Sequence, residues 1–187
     1  MKSNYTDGVI LIRPWNKNDI PHLFEAVRES VQILTPWLPW CHSEYSIDET
    51  RSWINSRPAA WKTAEEYSFA IIDSKTNRLL GGTGINRIDH LHDYANLGYW
   101  VRVSAQKKGV ATRAVILAAC FGFSELSLER IEILAAAGNN ASQKVALKTG
   151  ATREGLLRHR HKIRNIYQDA VLFSLIKSEF LRDHPPA

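Results

Sequence analysis

The stretch Gln106-Lys107-Lys108-Gly109-Val110-Ala111-Thr112 decides the fold of this 187-residue chain. It follows a strand-like run, 95–103, and opens an apolar, helix-like run, 114–123. A glycine at a strand-to-helix junction directs several backbone N–H groups at one point, at the positive end of a helix dipole. The stretch, residues 106–112, therefore predicts a phosphate loop, although an ordinary turn explains the lone glycine equally well.

A second junction of the same kind lies further along the chain. Another strand-like run, 130–136, precedes Gly138-Asn139-Asn140-Ala141-Ser142, where a helix begins that ends at Gly150. Asn-x-x-Ser at a helix start is also the pattern of an ordinary N-cap. The full order of strand, Gln-x-x-Gly-x-Ala, helix, strand, Asn-x-x-Ser, helix and Gly is much harder to obtain by chance than either motif alone.

In this order of motifs the chain resembles the GNAT superfamily of acyl-CoA-dependent N-acyltransferases. Within it, the chain is similar to the RimJ/RimL branch, which acetylates the N-termini of ribosomal proteins. The resemblance covers nearly the whole chain and includes Leu11-Ile12-Arg13-Pro14, Pro36-Trp37-Leu38-Pro39-Trp40, Leu80-Gly81-Gly82, Leu97-Gly98-Tyr99-Trp100 and Tyr167-Gln168-Asp169. These motifs are specific for coenzyme A and say little about the acceptor.

The implied fold is α/β, with a mixed, mostly antiparallel sheet of six or seven strands flanked by about four helices. The resemblance implies a splay between the fourth and fifth strands, 95–103 and 130–136. One acyl-CoA N-acyltransferase domain is expected over 1–187, with a core of roughly 8–180. The glycine-rich strand 78–87 is interpreted as a bulged strand in preference to a ligand contact.

Local signals place the remaining elements. Asn18 or Asp19 can cap a helix that runs to about Arg28, and Ser46-Ile47-Asp48-Glu49 is a capping box for a second helix that runs to about Thr63. Two strands are expected to close the chain after Gly150.

Composition excludes several classes of protein. Hydrophobic residues make up 44% and charged residues 23%, which excludes a disordered chain. No apolar run approaches the roughly 20 residues that cross a bilayer, and the N-terminus has no apolar signal core, so a cytoplasmic protein without membrane contact is expected. Cys41 and Cys120 have no metal-site spacing, and no metal is expected. A catalytic Cys41 is a minor alternative.

The chain carries a net positive charge, and much of it lies in one short segment. The net charge is +5, and the cations Arg153, Arg158, Arg160, Lys162 and Arg164 crowd one expected hairpin together with His159 and His161. A solvated hairpin face is the favoured interpretation. Contact with an acidic acceptor or with ribosomal RNA is the alternative.

The resemblance implies acetyl-CoA as the donor. Its pyrophosphate would bind the N–H groups of 108–112, and its pantetheine would run along the strand that ends at Val101-Arg102-Val103. A backbone N–H near Trp100 or Val101 would polarise the thioester carbonyl. The implied cofactor-binding residues are Val101, Val103, Gln106, Lys107, Lys108, Gly109, Val110, Ala111, Thr112, Asn139 and Ser142.

Two of these residues have further roles by resemblance. Asn139 aligns with the asparagine that hydrogen-bonds pantetheine. Ser142 aligns with the serine that protonates the departing thiolate in the RimL-like branch, in place of a tyrosine used elsewhere. Alternatively, Ser142 only satisfies N–H groups of its own helix.

The residue at the position of the family's general base differs from the family pattern. Many relatives carry a glutamate two residues before the glycine of the Gly-Tyr-Trp strand, where this chain has Asn96. The candidate replacements are Glu44, His42, His90, His92 and Asp93. A base is also dispensable if the acceptor is an α-amino group, whose pKa of about 7.7–8.0 is well below the value of about 10.4 for lysine.

The acceptor groove is expected between the early helices and the last hairpin, with Trp37, Trp40, Tyr45, Asn86 and Tyr167 as its wall. Asp169 is expected to orient a hairpin arginine or to bind an amine. The leading hypothesis is acetylation of a protein N-terminus, with a ribosomal protein as a candidate partner. The alternatives are a small amine (an aminoglycoside, a polyamine or a toxic peptide-nucleotide) and a non-catalytic module that binds acyl-CoA or docks on RNA. The oligomeric state stays open between monomer and homodimer.

Overall fold

The computed structural model describes residues 1–184. Its strands are β1 (Tyr5–Thr6), β2 (Ile10–Pro14), β3 (Glu66–Asp73), β4 (Leu79–Asp89), β5 (Tyr94–Val101), β6 (Arg130–Ala136), β7 (Thr152–Ile163) and β8 (Ile166–Ile176). Its α-helices are α1 (Ile20–Leu34), α2 (Ile47–Lys62), α3 (Val110–Glu125), α4 (Asn140–Lys148) and α5 (Lys177–Asp183). Within these residues, no helix combines the length and apolar character that a bilayer crossing requires.

The strands form one sheet in the order β1-β2-β3-β4-β5-β6-β8-β7, and every neighbouring pair except β5–β6 is antiparallel. The predicted mixed, mostly antiparallel α/β architecture is confirmed. The described part has eight strands because the two-residue β1 pairs with β2. The chain also continues past β8 into α5, so the prediction that strands close it was wrong. This short helix buries only Phe180, which leaves little periodic signal in the sequence.

Helix α1 is longer than predicted, and α2 has the predicted start. The apolar positions of α1 continue to Leu34, which is buried with Leu23 and Val27, so the helix does not end near Arg28. At the start of α2, Ser46 Oγ accepts from Glu49 N at 3.3 Å and Glu49 Oε2 accepts from Ser46 N at 2.8 Å. These reciprocal bonds form the capping box.

Helices cover both faces of the sheet. Helices α1 and α2 enclose a cluster that includes Trp15, Val27 and Ile54. Helix α3 is apolar on nearly all sides and lies in the cluster on the other face, with Phe69 and Phe121. Burial of most of α3 fixes its N-terminus at the end of β5, where the phosphate loop begins.

The sheet opens between β5 and β6. Only Tyr94–Asn96 pairs with Arg130–Glu132, and the rest of the two strands, 97–101 and 133–136, diverge. Both strands remain fully paired on their outer sides, to β4 and β8. The predicted splay is therefore confirmed, and it leaves two facing strand edges with unpaired backbone groups.

A buried arginine anchors the end of β5 to α1. Arg102 is 1% exposed; its Nε donates to Glu29 at 2.9 Å, its Nη2 to Glu25 at 2.6 Å and its Nη1 to Leu79 O at 3.1 Å. Glu29 also accepts from Ser104 N at 2.9 Å. The hydrogen bond from Arg102 is the main cause that holds the pKa of Glu29 at about 2. This network fixes the direction in which the chain enters the phosphate loop.

We expect Arg102→Met to lower the free energy of unfolding by about 2 kcal/mol, because it removes the buried guanidinium and its hydrogen bonds to Glu29 and to Leu79 O. Arg78→Met is the control: Arg78 is half exposed and 3.6 Å from Glu29, so its loss should cost less than about 1 kcal/mol. Urea unfolding followed by tryptophan fluorescence measures both. Because the pKa of Glu29 is lower in the folded protein than in the unfolded chain, the ion pair stabilises the fold fully above about pH 4.5. This stabilisation is lost as the pH falls toward about 2. The difference in free energy of unfolding between wild type and Arg102→Met should therefore shrink over that pH range. A constant difference would show that the Arg102–Glu29 pair does not stabilise the fold.

Candidate active site

One cavity of about 720 Å³ extends from the space under α1 and α2 to the splay. Its walls come from β3, β4, β5, β6, the β7 end and the loop after α1. The predicted residues that line it are Trp37, Trp40, Tyr45, Asn86, Trp100, Asn139 and Ser142. The structure thus brings four of the five residues of the predicted acceptor wall, all but Tyr167, to the same cavity as Ser142.

The floor of the cavity is formed by a sheet surface with few side chains. Ser68, Gly84 and Gly98 are neighbours across β3, β4 and β5, and all three line the cavity. At Gly82, an added Cβ would lie 2.8 Å from Trp100 Nε1 and 3.1 Å from Trp15 Cζ2, so only glycine fits there. The bulge predicted for the glycine-rich strand is present as a register shift between β3 and β4, at Ile71 and Ile72. Gly82 and Gly84 of this strand also line the cavity, which a bulge alone does not explain.

The aromatic loop, residues 35–42, roofs the cavity. The Trp40 ring lies 5.9 Å from the Trp100 ring, and the Trp37 side chain lies 3.5 Å from the position of a Cβ on Gly138. Arg164, at the tip of the β7–β8 hairpin, donates to Thr35 O at 2.8 Å and to Cys41 O at 3.1 Å. Cys41 is fully buried, and burial raises the pKa of its thiol, which does not suit a nucleophile.

The phosphate loop has free donors. Gly109 has φ +76° and is the N-cap of α3 without a side-chain cap, and the N–H groups of 107–112 donate no hydrogen bond to any residue in 1–184. Lys108 Nζ donates to Ser104 O at 2.9 Å, so this lysine is tied to the loop. A groove of about 450 Å³ adjoins the loop, between Asp7, Arg113 and Lys148. Unpaired N–H groups, a helix N-terminus and nearby cations fit a pyrophosphate.

The N-terminus of α4 meets β5 across the splay. Asn139 Oδ1 accepts from Ser142 N at 3.0 Å, so Asn139 caps this helix and the Ser142 hydroxyl is not needed for capping. The Tyr99 hydroxyl lies 2.9 Å from both Ser142 Oγ and Ser142 O. Burial raises the pKa of Tyr99 to about 12, so the phenol stays protonated. The arrangement leaves the Asn139 amide NH2 and the Ser142 hydroxyl as polar groups at the splay.

The structure separates the candidate bases from the cavity. Asn96 Nδ2 donates to Asn86 Oδ1 at 3.0 Å, at the position where the family resemblance implies a glutamate. The residues that line the cavity do not include His42, Glu44, His90, His92 or Asp93. They do include His161, which the sequence reasoning did not select. Burial lowers the pKa of His161, and the charges of Arg160 and Arg87 lower it further, so its imidazole is neutral near pH 7.

A bulge in β7 accounts for the position of His161. Leu157 is opposite Ala170, and the next pair is His161 opposite Gln168, so β7 has two extra residues here. Asp169 Oδ1 accepts from His159 N at 2.8 Å within this bulge. Asp169 therefore stabilises the bulge and, within residues 1–184, forms no ion pair with an arginine, so the expectation that it orients a hairpin arginine was wrong. Its alternative role, binding an amine, stays a prediction.

Two predicted site residues lie elsewhere. Tyr167 is 57% exposed, stacks on His159 at 5.7 Å and is not among the residues that line the cavity. The N–H of Val103 donates to Ser30 Oγ at 2.9 Å, and its carbonyl accepts from Gln106 N at 3.2 Å. The backbone N–H and carbonyl of Val103 are thus already paired within the protein.

Comparisons with known proteins agree with this geometry. The model of the acetyltransferase (GNAT) domain family matches residues 10–152. YdaF of Bacillus subtilis (strain 168), which carries the name of a ribosomal N-acetyltransferase, is 29% identical over 91% of this chain and 93% of its own. A solved structure from Vibrio cholerae, assigned as a ribosomal-protein-serine acetyltransferase, is 30% identical with a TM-score of 0.82, over 92% of this chain and 97% of that one. RimL, the ribosomal L7/L12 α-N-protein acetyltransferase solved with coenzyme A, shares the fold at 21% identity and a TM-score of 0.82, over 90% of this chain and 94% of that one.

The chain therefore belongs to the GNAT family of acetyltransferases. It is an acetyl-CoA-dependent N-acetyltransferase.

Proposed function

We propose that the acceptor is the α-amino group of a protein N-terminus, with ribosomal proteins as the first candidates. The observation that carries the proposal is the Asn96–Asn86 hydrogen bond, which occupies the site of the usual glutamate with two amides. Without that carboxylate, an amine that is already partly neutral near pH 7 is favoured over lysine. The names of YdaF and of the Vibrio cholerae protein support the same class of acceptor.

The donor is proposed to bind across the splay. Its pyrophosphate accepts hydrogen bonds from the N–H groups of 108–112. Its pantetheine runs between the unpaired edges of β5 and β6, where it pairs with Val101 and accepts from the amide NH2 of Asn139. A backbone N–H of Trp100 or Val101 donates to the thioester oxygen and stabilises the negative charge that develops on it.

The residues around the cavity suit direct transfer within a ternary complex. The amine nitrogen attacks the thioester carbon, the C–N bond forms and the C–S bond breaks. His161 accepts the proton that the nitrogen loses, and Ser142 donates a proton to the departing thiolate while Tyr99 holds its oxygen. Ser142 regains a proton from solvent as His161 releases one, so the products are the amide and the thiol of coenzyme A.

Two peptides of the same length test the acceptor. One has a free N-terminus and no lysine; the other has a blocked N-terminus and one lysine. We expect kcat/KM near neutral pH to be at least about 100-fold higher for the free N-terminus, because about 2.5 pKa units separate the two amines. Mass spectrometry of the products measures both, with spermidine as a third acceptor. Better turnover of the lysine peptide, or acetylation of spermidine alone, would refute the proposal.

A further inference from the structure

The rim of the cavity carries cations without ion-pair partners. Arg87, Arg158, Arg160 and Lys162 have no carboxylate within 4.0 Å in the part of the chain that the structure describes. All four are exposed. Elsewhere the arginines are mostly paired, as with Arg57 and Glu66 at 2.9 Å or Arg130 and Glu154 at 2.6 Å. Fixed cations of this kind at the edge of a cleft attract anionic ligands.

These cations are continuous with the active site. Arg87, Arg160 and Lys162 line the cavity together with His161. Strand β7 is the last strand of the sheet, so its outer edge has no neighbour within 1–184. The bulge turns the chain at His159, where φ is +50°, and places Arg158 beyond the cavity on the exposed side. A polypeptide whose first residue lies in the cavity would pass these side chains as it leaves.

The same residues could simply blunt an edge strand, since charge on an edge discourages pairing with other sheets. That role does not require cations on β4, yet Arg87 belongs to the group. It also does not require cations that line a cavity. The exposed apolar side chains of the hairpin, Ile166 at 64% and Tyr167 at 57%, further favour a surface that binds another chain.

We propose that Arg87, Arg158, Arg160 and Lys162, the basic rim, bind an acidic segment that directly follows the acetylated residue of the acceptor protein. The inference rests on the proposed function and narrows it to N-termini with Asp or Glu close behind the first residue. Because Arg160 and Lys162 line the cavity and Arg158 lies beyond it on the exposed side, the acidic positions begin close behind the first residue. Positions three to six of the acceptor are therefore the ones to vary.

Peptides that differ only at positions three to six test the inference. One set carries Asp and Glu there, a second Ser and Gln, and a third Lys. We expect the KM of the acidic peptide to be about tenfold lower than that of the neutral peptide at low salt, with the same kcat. The advantage should shrink when salt is raised, since exposed charges are screened.

A charge reversal identifies the surface. Arg158→Glu, which leaves the residues lining the cavity intact, should raise the KM of the acidic peptide about tenfold and leave that of the neutral peptide unchanged. Lys75→Glu is the matched control, because Lys75 is exposed in the turn between β3 and β4. Equal KM values for acidic and neutral peptides would overturn the inference, while acetylation of both would leave the proposed function intact. Stronger competition by a single-stranded RNA oligonucleotide than by an acidic peptide with a blocked N-terminus would also overturn it, because the rim would then bind RNA. If no peptide of any charge is acetylated, the proposed function itself fails.

Discussion

Replacing His161 with glutamine is expected to lower kcat about 100-fold near neutral pH, the lower end of the range for loss of a general base. His161 is the histidine that lines the cavity, and its imidazole is kept neutral by burial and by the charges of Arg160 and Arg87. A neutral imidazole can accept the proton that the attacking nitrogen loses. The KM for acetyl-CoA should not change, because the loss affects the chemical step and not the binding of the donor.

The pH dependence of kcat distinguishes a base from a residue that only shapes the cavity. Because the pKa of His161 is lowered, its protonation should reduce the wild-type kcat only below the ordinary histidine value of about 6.5, in addition to the loss of neutral α-amine below about 8. The acid limb due to His161 should disappear in His161→Gln, while the limb due to the amine should remain. His90→Gln is the control, since His90 is exposed in the turn after β4 and should behave as wild type. Wild-type turnover by His161→Gln would show that the reaction needs no base, the alternative that an α-amino acceptor allows.

Replacing Ser142 with alanine is expected to lower kcat at least about tenfold while the affinity for acetyl-CoA stays near wild type. The change removes the hydroxyl that lies 2.9 Å from Tyr99 and leaves the cap of α4 intact, because Asn139 accepts from the backbone N–H of this residue. Steady-state kinetics gives kcat, and calorimetry with coenzyme A gives the affinity. The melting temperature of the variant should stay near that of wild type, because the cap of α4 is retained.

Tyr99→Phe shows which of the two hydroxyls supplies the proton. If Ser142 is the acid and Tyr99 only orients it, the phenylalanine variant should lose about three- to tenfold in kcat, less than Ser142→Ala. The double variant should then be no worse than Ser142→Ala alone. A larger loss from Tyr99→Phe than from Ser142→Ala would reverse the two roles.

The parts of the fold that depend on local order could be predicted from the sequence. The strand–loop–helix order around Gly109 and the capping box at Ser46 are signals within a few residues, and the structure has both. The splay also followed from the family resemblance. The length of α1 was underestimated, although its apolar positions continue to Leu34. The presence of α5 could not be predicted, because this short helix buries only Phe180 and has little periodic signal.

The candidate site was predicted less completely than the fold, because several of its residues are positioned by a bulge or by contacts between distant parts of the chain. His161 enters the cavity only because β7 has two extra residues, and simple alternation along a strand cannot anticipate a bulge. Tyr99 reaches Ser142 from 43 residues away across the splay, a contact that no spacing encodes. The amide of Val103 was already bonded to Ser30, a partner on a distant helix. Each of these depends on long-range packing.

The link between Arg164 and the aromatic loop has a consequence for how the enzyme responds to acidity. Its acceptors are the main-chain oxygens of Thr35 and Cys41, and its donor is a guanidinium. A guanidinium keeps its proton throughout the range in which enzymes are assayed, and peptide oxygens do not titrate there. The hydrogen bonds between the hairpin and the aromatic loop therefore do not depend on pH, unlike a contact made by a carboxylate or an imidazole. Changes in rate with pH should consequently report on the reacting groups and not on loss of the contact between hairpin and aromatic loop.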